Sequence, residues 1–165
     1  VAIMDPDFRY IRLDRQGLGP AYHGGFEATY DRGFGHIAGG KNIVIITCGV
    51  LLRKALLARK ILAEKGVNAG VIDLFRIKPI DGKALADLLS DYNAVVTVEE
   101  QSLEGGMGSA VLEVAADHNI LKPVRRLGMR DGYAVINGDR DSLHELYEID
   151  TRHIVSAALG LAERF

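Results

Sequence analysis

The stretch Asn42-Ile43-Val44-Ile45-Ile46-Thr47 is followed, across the turn Cys48-Gly49-Val50, by the longer run from Leu51 to Gly66. The first six residues are dominated by β-branched side chains without polar alternation, the pattern of a strand buried on both faces. In the run that follows, Leu51, Leu52, Ala55, Leu56, Ala58 and Leu62 recur at helical spacing. Arg53, Lys54, Arg59, Lys60 and Glu64 fall between them, and Gly66 stands where a left-handed C-terminal cap belongs. A buried strand joined by a short turn to an amphipathic helix is the repeating unit of a mainly parallel sheet.

The unit recurs downstream. Val67 to Phe75 reads as a second strand, Lys78-Pro79 interrupts the pattern, and Asp81 can cap a helix bearing Leu85, Leu88 and Leu89 on one face. Ala94 to Glu99 reads as a third strand, and Glu104-Gly105-Gly106-Met107-Gly108 turns into a helix carrying Val111, Leu112, Val114 and Ala115. Pro123 to Leu127 reads as a fourth strand, followed by a polar loop. Ser142 with Glu145 three residues later forms a capping box, and Asp150 or Thr151 opens a last helix with Ile154, Val155, Ala158 and Leu159. Residues 42–165 are therefore expected to form an α/β domain, a three-layer α/β/α sandwich around a mixed, mainly parallel sheet.

Upstream the pattern changes. Phe8 to Leu13 reads as a strand, and eight of the 19 glycines lie between Gly17 and Gly40 together with Pro20, which marks a loop or connector with at most a weak hairpin near Phe26 to Tyr30. Residues 1–41 are expected to be the end of a preceding domain plus a Gly-rich connector. The Val at position 1 adds the expectation that the chain is the trailing part of a larger protein.

The 165 residues are 48% hydrophobic and 25% charged, enough for one ordinary core and against a disordered tail. Twenty basic against 22 acidic side chains leave a net charge of −2, so no basic field favours nucleic acid and no polybasic face favours a membrane. The apolar runs are too short to span a bilayer, the start lacks the features of a secretory signal, and the single Cys48 suits a reducing compartment; a cytoplasmic protein is expected.

Several motifs have both a chemical and a plain reading. Gly35 to Lys41 matches the spacing of a phosphate-binding loop, but it precedes a strand instead of following one, and Asn42 replaces the magnesium-binding hydroxyl. Connector glycine is the reading carried forward. The turn at Gly49 has too few glycines for a dinucleotide, although Asp73 falls where a ribose-binding acid would sit.

Glu99-Glu100 followed by Gly105, Gly106 and Gly108 lies at a strand end and helix start, where α/β proteins place ligands. It is either an interface or ligand turn, or a tight turn for close packing, and the acids at 99, 100 and 104 oppose an anion there. The five histidines show no metal-ligand spacing and read mostly as surface residues. Cys48 reads as a buried inert thiol. Arg15, after the strand Phe8 to Leu13, either holds a phosphate or carboxylate or is a solvated charge beside Asp14. No residue is singled out as catalytic, cofactor-binding or metal-binding.

Asn42 to Gly49, Ala69 to Asp81, Val96 to Glu100 with Gly105 to Ser109, and the closing Tyr147 to Asp150 with Ile154 to Leu159 together resemble, in order, the C-terminal domain of the transketolase family. That group includes transketolase, 1-deoxyxylulose-5-phosphate synthase and the beta subunits of 2-oxoacid dehydrogenases. Tyr10 to Gln16 is similar to the last strand of the family's pyrimidine-binding domain, where transketolases carry Ser-Arg-Gln; here Asp14 replaces the serine.

The resemblance implies that Arg15 and Gln16 are substrate-binding, with Arg15 at the phosphate end of a sugar phosphate. It also implies thiamin diphosphate and magnesium in the intact enzyme, bound upstream through a Gly-Asp-Gly motif that is absent from this sequence. The chain is then inactive alone and works as a homodimer with upstream catalytic domains or an N-terminal subunit, transferring a ketol unit between sugar phosphates. The alternatives are a deoxyxylulose-phosphate synthase or 2-oxoacid dehydrogenase beta fragment, and, from another class, a non-catalytic protein-interaction module.

Overall fold

The computed structural model describes residues 8, 10, 11, 14, 22, 31–133 and 135–164. The elements run β1 (Gly35–Ala38), β2 (Ile43–Thr47), α1 (Leu51–Glu64), β3 (Ala69–Asp73) and α2 (Gly82–Ser90). They continue with β4 (Ala94–Ser102), α3 (Met107–Asp117), β5 (Val124–Met129), α4 (Arg140–Leu146) and α5 (Thr151–Ala162). The strands form one sheet in the order β1-β3-β2-β4-β5, parallel except that β1 runs antiparallel to β3. This is the mixed, mainly parallel α/β architecture that the periodicity predicts.

β2 lies at the centre, and all five of its residues are buried. Because successive side chains of a strand point to opposite faces, Ile43 and Ile45 enter a core shared with Leu51, Leu52, Ala55 and Leu62 of α1 and Ile154 and Ala158 of α5. Val44 and Ile46 enter the opposite core with Leu85 and Leu89 of α2 and Met107 and Val111 of α3. Two helix layers thus sandwich the sheet. At the ends of the helices, Gly66 closes α1 with φ +78, the Asp81 carboxylate accepts from the Ala84 amide at 3.0 Å, and Asp150 accepts from the His153 amide at 2.9 Å.

Three expectations are revised. Gly35–Ala38, read as connector, is an edge strand, tied in by pairing with β3 and by a 3.0 Å contact between His36 Nε2 and the Tyr92 hydroxyl. Ser142 does not cap α4: the helix begins earlier, and Asp139 accepts from the Ser142 amide at 2.8 Å. β4 extends past Glu99 to Ser102, so both glutamates belong to the strand. The strand and hairpin expected within residues 8–30 fall largely outside the described residues. No helix among the described residues is long and apolar enough to cross a membrane.

Of the two glycines that end the phosphate-loop imitation, Gly40 has a steric explanation instead. A Cβ on Gly40 would collide with the Gly70 amide nitrogen and the Ala69 carbonyl carbon, where the chain passes the start of β3, whereas one on Gly39 would meet nothing within 4 Å. Gly40→Ala is expected to lower the unfolding free energy by about 3 kcal/mol and Gly39→Ala by less than about 1 kcal/mol. Urea denaturation of the two variants checks this, and equal effects would contradict it.

Candidate functional site

The carboxyl edge of the parallel strands carries an acid at the end of β3, Asp73, and two near the end of β4, Glu99 and Glu100. Alternation along β4 separates the two glutamates. Val95 packs in the core under α2 and α3, while Val96 and Val98 pack under α1 and α5. Glu99 therefore points toward α3 and Glu100 toward the other face.

Glu99 is fully buried. Its Oε2 accepts from the Met107 amide at 2.6 Å and its Oε1 from the Gly108 amide at 2.8 Å. These are the first two amides of α3, unpaired within the helix and at its positive end, so a charged acceptor there is stabilised by both hydrogen bonding and the helix dipole. Gly106 and Gly108 allow the approach: a Cβ on Gly106 would strike Ser102 O and Glu99 Oε2, and one on Gly108 would lie 2.6 Å from Thr97 Oγ1. Gly105 adopts φ +71 at the turn.

The rest of the turn is closed on itself. Arg126 donates to Leu103 O at 2.6 Å and to Ser109 Oγ at 3.0 Å. Ser109 Oγ in turn accepts from the Gly105 amide at 3.2 Å and donates to Leu103 O at 2.8 Å. An external anion would have to displace the Glu99 carboxylate, so the geometry is that of a turn closed by its own side chains.

Glu100 belongs to a different cluster. Its Oε1 lies 2.7 Å from His144 Nε2 and 3.3 Å from Arg140 Nε. Arg140 also donates through Nη1 and Nη2 to Asp14 Oδ1 at 3.2 Å and Oδ2 at 2.7 Å, a two-pronged contact between residues 126 positions apart. Arg140 and His144 are four apart on α4 and reach the same carboxylate from one helix face.

His144 is only 3% exposed, and its Nδ1 has no partner among the described residues. A carboxylate only accepts, so Nε2 is the donor in the contact with Glu100. The hydrogen bond from His144, with Arg140 adding to it, holds the Glu100 carboxyl below its ordinary range against the opposing effect of burial.

Asp73, 6% exposed, accepts from the Tyr22 hydroxyl through Oδ2, while its Oδ1 has no partner among the described residues. Burial pushes its carboxyl up and the Tyr22 bond pulls it down. Cys48, just after β2, is only partly buried and not fully enclosed as the sequence reading has it; burial first and then Asp73, Glu99 and Glu100 push its thiol up to about 11.

Of the residues that the sequence marks, the structure brings together Glu99, Gly106 and Gly108, places Gly105 at the turn beside them, and sends Glu100 away to α4. Arg15 and Gln16 lie outside the described residues. His144 and Arg140 are not legible in the sequence as site residues. His144 is an exception to the reading of the histidines as mostly surface residues, and the i, i+4 spacing with Arg140 is the signal that could have raised it.

Residues 36–154 match the family described as the transketolase C-terminal domain. The chain is 35% identical over 152 residues to one of the subunits of an apulose-4-phosphate transketolase from Actinobacillus succinogenes, covering 92% of this chain and 49% of that protein. It is 34% identical to a 1-deoxy-D-xylulose-5-phosphate synthase of Caldanaerobacter subterraneus, over 73% of this chain and 19% of that one. Among solved structures it is similar to a split gene transketolase described as an inactive beta4 tetramer, with a TM-score of 0.80 and 32% identity over 90% of this chain and 48% of that one. A transketolase of Pichia stipitis shares the fold, with a TM-score of 0.61 at 18% identity over 82% of this chain and 18% of that one. The chain thus spans about half the length of the Actinobacillus protein it matches.

Two measurements check the edge. Glu99→Gln replaces one of the two charged acceptors with an NH2 group facing an amide donor, and is expected to destabilise the fold by about 2 to 4 kcal/mol in chemical denaturation. A thiol raised from 9.0 to about 11 has roughly a hundredfold less thiolate at neutral pH. Cys48 should therefore react with iodoacetamide far more slowly than a free thiol, and a rate equal to that of free cysteine would contradict its placement.

Proposed function

We propose, because this chain belongs to the transketolase C-terminal domain family, that it is the C-terminal section of a thiamin-diphosphate-dependent transketolase that transfers a ketol unit between anionic sugars. The observation that carries the reading is the match over 92% of the chain to part of a transketolase named for a phosphorylated ketose. A second relative, at 36% identity over 76% of this chain, belongs to a 6-deoxy-6-sulfo-D-fructose transketolase of a Clostridium species. Both names describe a sugar bearing an anionic group, phosphate in one and sulfonate in the other. An arginine is suited to either through parallel hydrogen bonds. Arg15 is the proposed anchor for that group, with Gln16 beside it.

The described residues do not fit the diphosphate and magnesium themselves. The first two amides of α3 are taken by Glu99, and no group of three or more His, Cys, Asp or Glu among the described residues could hold a metal ion. In this reading the cofactor and its metal are held by a separate N-terminal section, and a second copy of the chain completes the assembly. When bound, the cofactor supplies the carbanion chemistry. This chain's part is to orient the anionic end of the sugar and to hold the sections together.

The test is reconstitution. The chain mixed with an N-terminal transketolase section should give thiamin-diphosphate-dependent ketol transfer that neither part gives alone, and failure of the two to associate or to act on any phosphorylated ketose would sink the reading. In the assembled enzyme, Arg15→Ala is expected to raise KM for a phosphorylated ketose roughly tenfold or more, with little change for its unphosphorylated analogue. Steady-state kinetics on the substrate pair decides it, and an equal change on both would contradict the assignment.

A further inference from the structure

We propose that Arg140 is a positioning residue, latching the segment that contains Asp14 to the carboxyl edge of the sheet and so fixing where the adjacent Arg15 is presented. The inference rests on the reading of Arg15 as an anion anchor and adds to it the device that sets the anchor in place.

The geometry supports a latch over an ordinary surface pair. An exposed ion pair contributes little when both partners are free to move. Here the guanidinium meets both Asp14 oxygens and also faces Glu100 through Nε. All three side chains are about two-thirds covered or more, at 29%, 32% and 33% exposure. Glu100 is itself held by the buried His144.

The helix that carries Arg140 is fixed at both its start and its flank. Asp139 caps it through the Ser142 amide at 2.8 Å, and Lys54 of α1 bonds Asp141 at 2.8 Å. Arg140 is therefore presented from a helix tied to the sheet domain through its cap, Lys54 and the buried His144, and the residue that the contact locates is Asp14.

A second point of attachment lies eight residues beyond, where the Tyr22 hydroxyl bonds Asp73 at the end of β3. Asp14 is thus engaged from β4 and α4 and Tyr22 from β3, on the edge where an α/β sheet usually receives ligands. Arg15 follows Asp14 directly in the sequence, so the proposed anchor is one peptide unit from the latched residue. A shift of the latch moves the anchor with it, and misplacement by about an ångström is enough to weaken a bidentate contact.

The experiment has one arm on the chain alone and one on the assembled enzyme. In the chain, Arg140→Gln and Asp14→Asn should each speed amide hydrogen exchange across residues 10–22 about tenfold, while exchange in β2, β3 and β4 stays as in the wild type. Arg140→Lys, which keeps the charge and loses the fork, should fall between. Asp14→Asn removes the latch without touching the domain that carries it, so it decides the matter if Arg140→Gln folds poorly. Unchanged exchange in residues 10–22 would overturn the latch.

In the assembled enzyme, Arg140→Gln should raise KM for a phosphorylated ketose severalfold, leave kcat and the unphosphorylated substrate nearly unchanged, and add nothing in an Arg15→Ala background. If Arg15→Ala raises that KM and Arg140→Gln does not, the positioning role is overturned and the anchor reading stands. If Arg15→Ala itself changes nothing, the anchor reading fails and the positioning role with it, while the exchange arm still reports whether Asp14 is latched.

Discussion

Glu99 has no exposed surface, and a carboxylate in that position must have its charge met by donors that are also buried. It meets the first two amides of α3, which have no partner within their own helix. That mutual satisfaction explains much of the surrounding sequence. Gly106 and Gly108 are there because a side chain would occupy the space in which the carboxylate meets the helix. Arg126 and Ser109 close the intervening turn so that its carbonyl and hydroxyl groups are also paired.

The neighbouring residue shows how one strand can serve two purposes. Glu100 differs from Glu99 by a single step, and a single step along a strand reverses the side-chain direction. One carboxylate stabilises the helix on its face of the sheet. The other receives His144 and Arg140 of α4 and, through Arg140, engages Asp14. The carboxyl edge of this sheet is thereby committed to contacts within the chain: β4 through both glutamates, β3 through Asp73 and Tyr22. In the proposed enzyme this edge holds Asp14, the neighbour in sequence of the proposed anion anchor Arg15.

Much of the architecture is legible in the sequence because burial imposes periodicity. The β-branched run of Ile43 to Ile46 suits only a strand covered on both faces, and the spacing of Leu51, Leu52, Ala55 and Leu62 fits a single helix face. The caps at Asp81 and Asp150 are legible for the same local reason, since a capping carboxylate and its amide lie three residues apart. The edge strand Gly35–Ala38 is not, because its glycine-rich neighbourhood has turn chemistry and its order comes from pairing with β3. The cap of α4 is ambiguous because two nearby candidates, Asp139 and Ser142, compete and local rules rank them equally.

By itself the sequence determined the alternation of strands and helices, the family resemblance, and the presence of two adjacent acids at a strand end, since each depends on neighbours in the chain or on residue order. Only the tertiary structure decided that Glu99 and Glu100 have different partners, that His144 is buried, and that Arg140 meets Asp14 across 126 positions. The physical reason is that a carboxylate's partner is set by which helix end or guanidinium the packed layers bring within about 3 Å. That proximity comes from the crossing of elements far apart in the chain, and no local spacing encodes it.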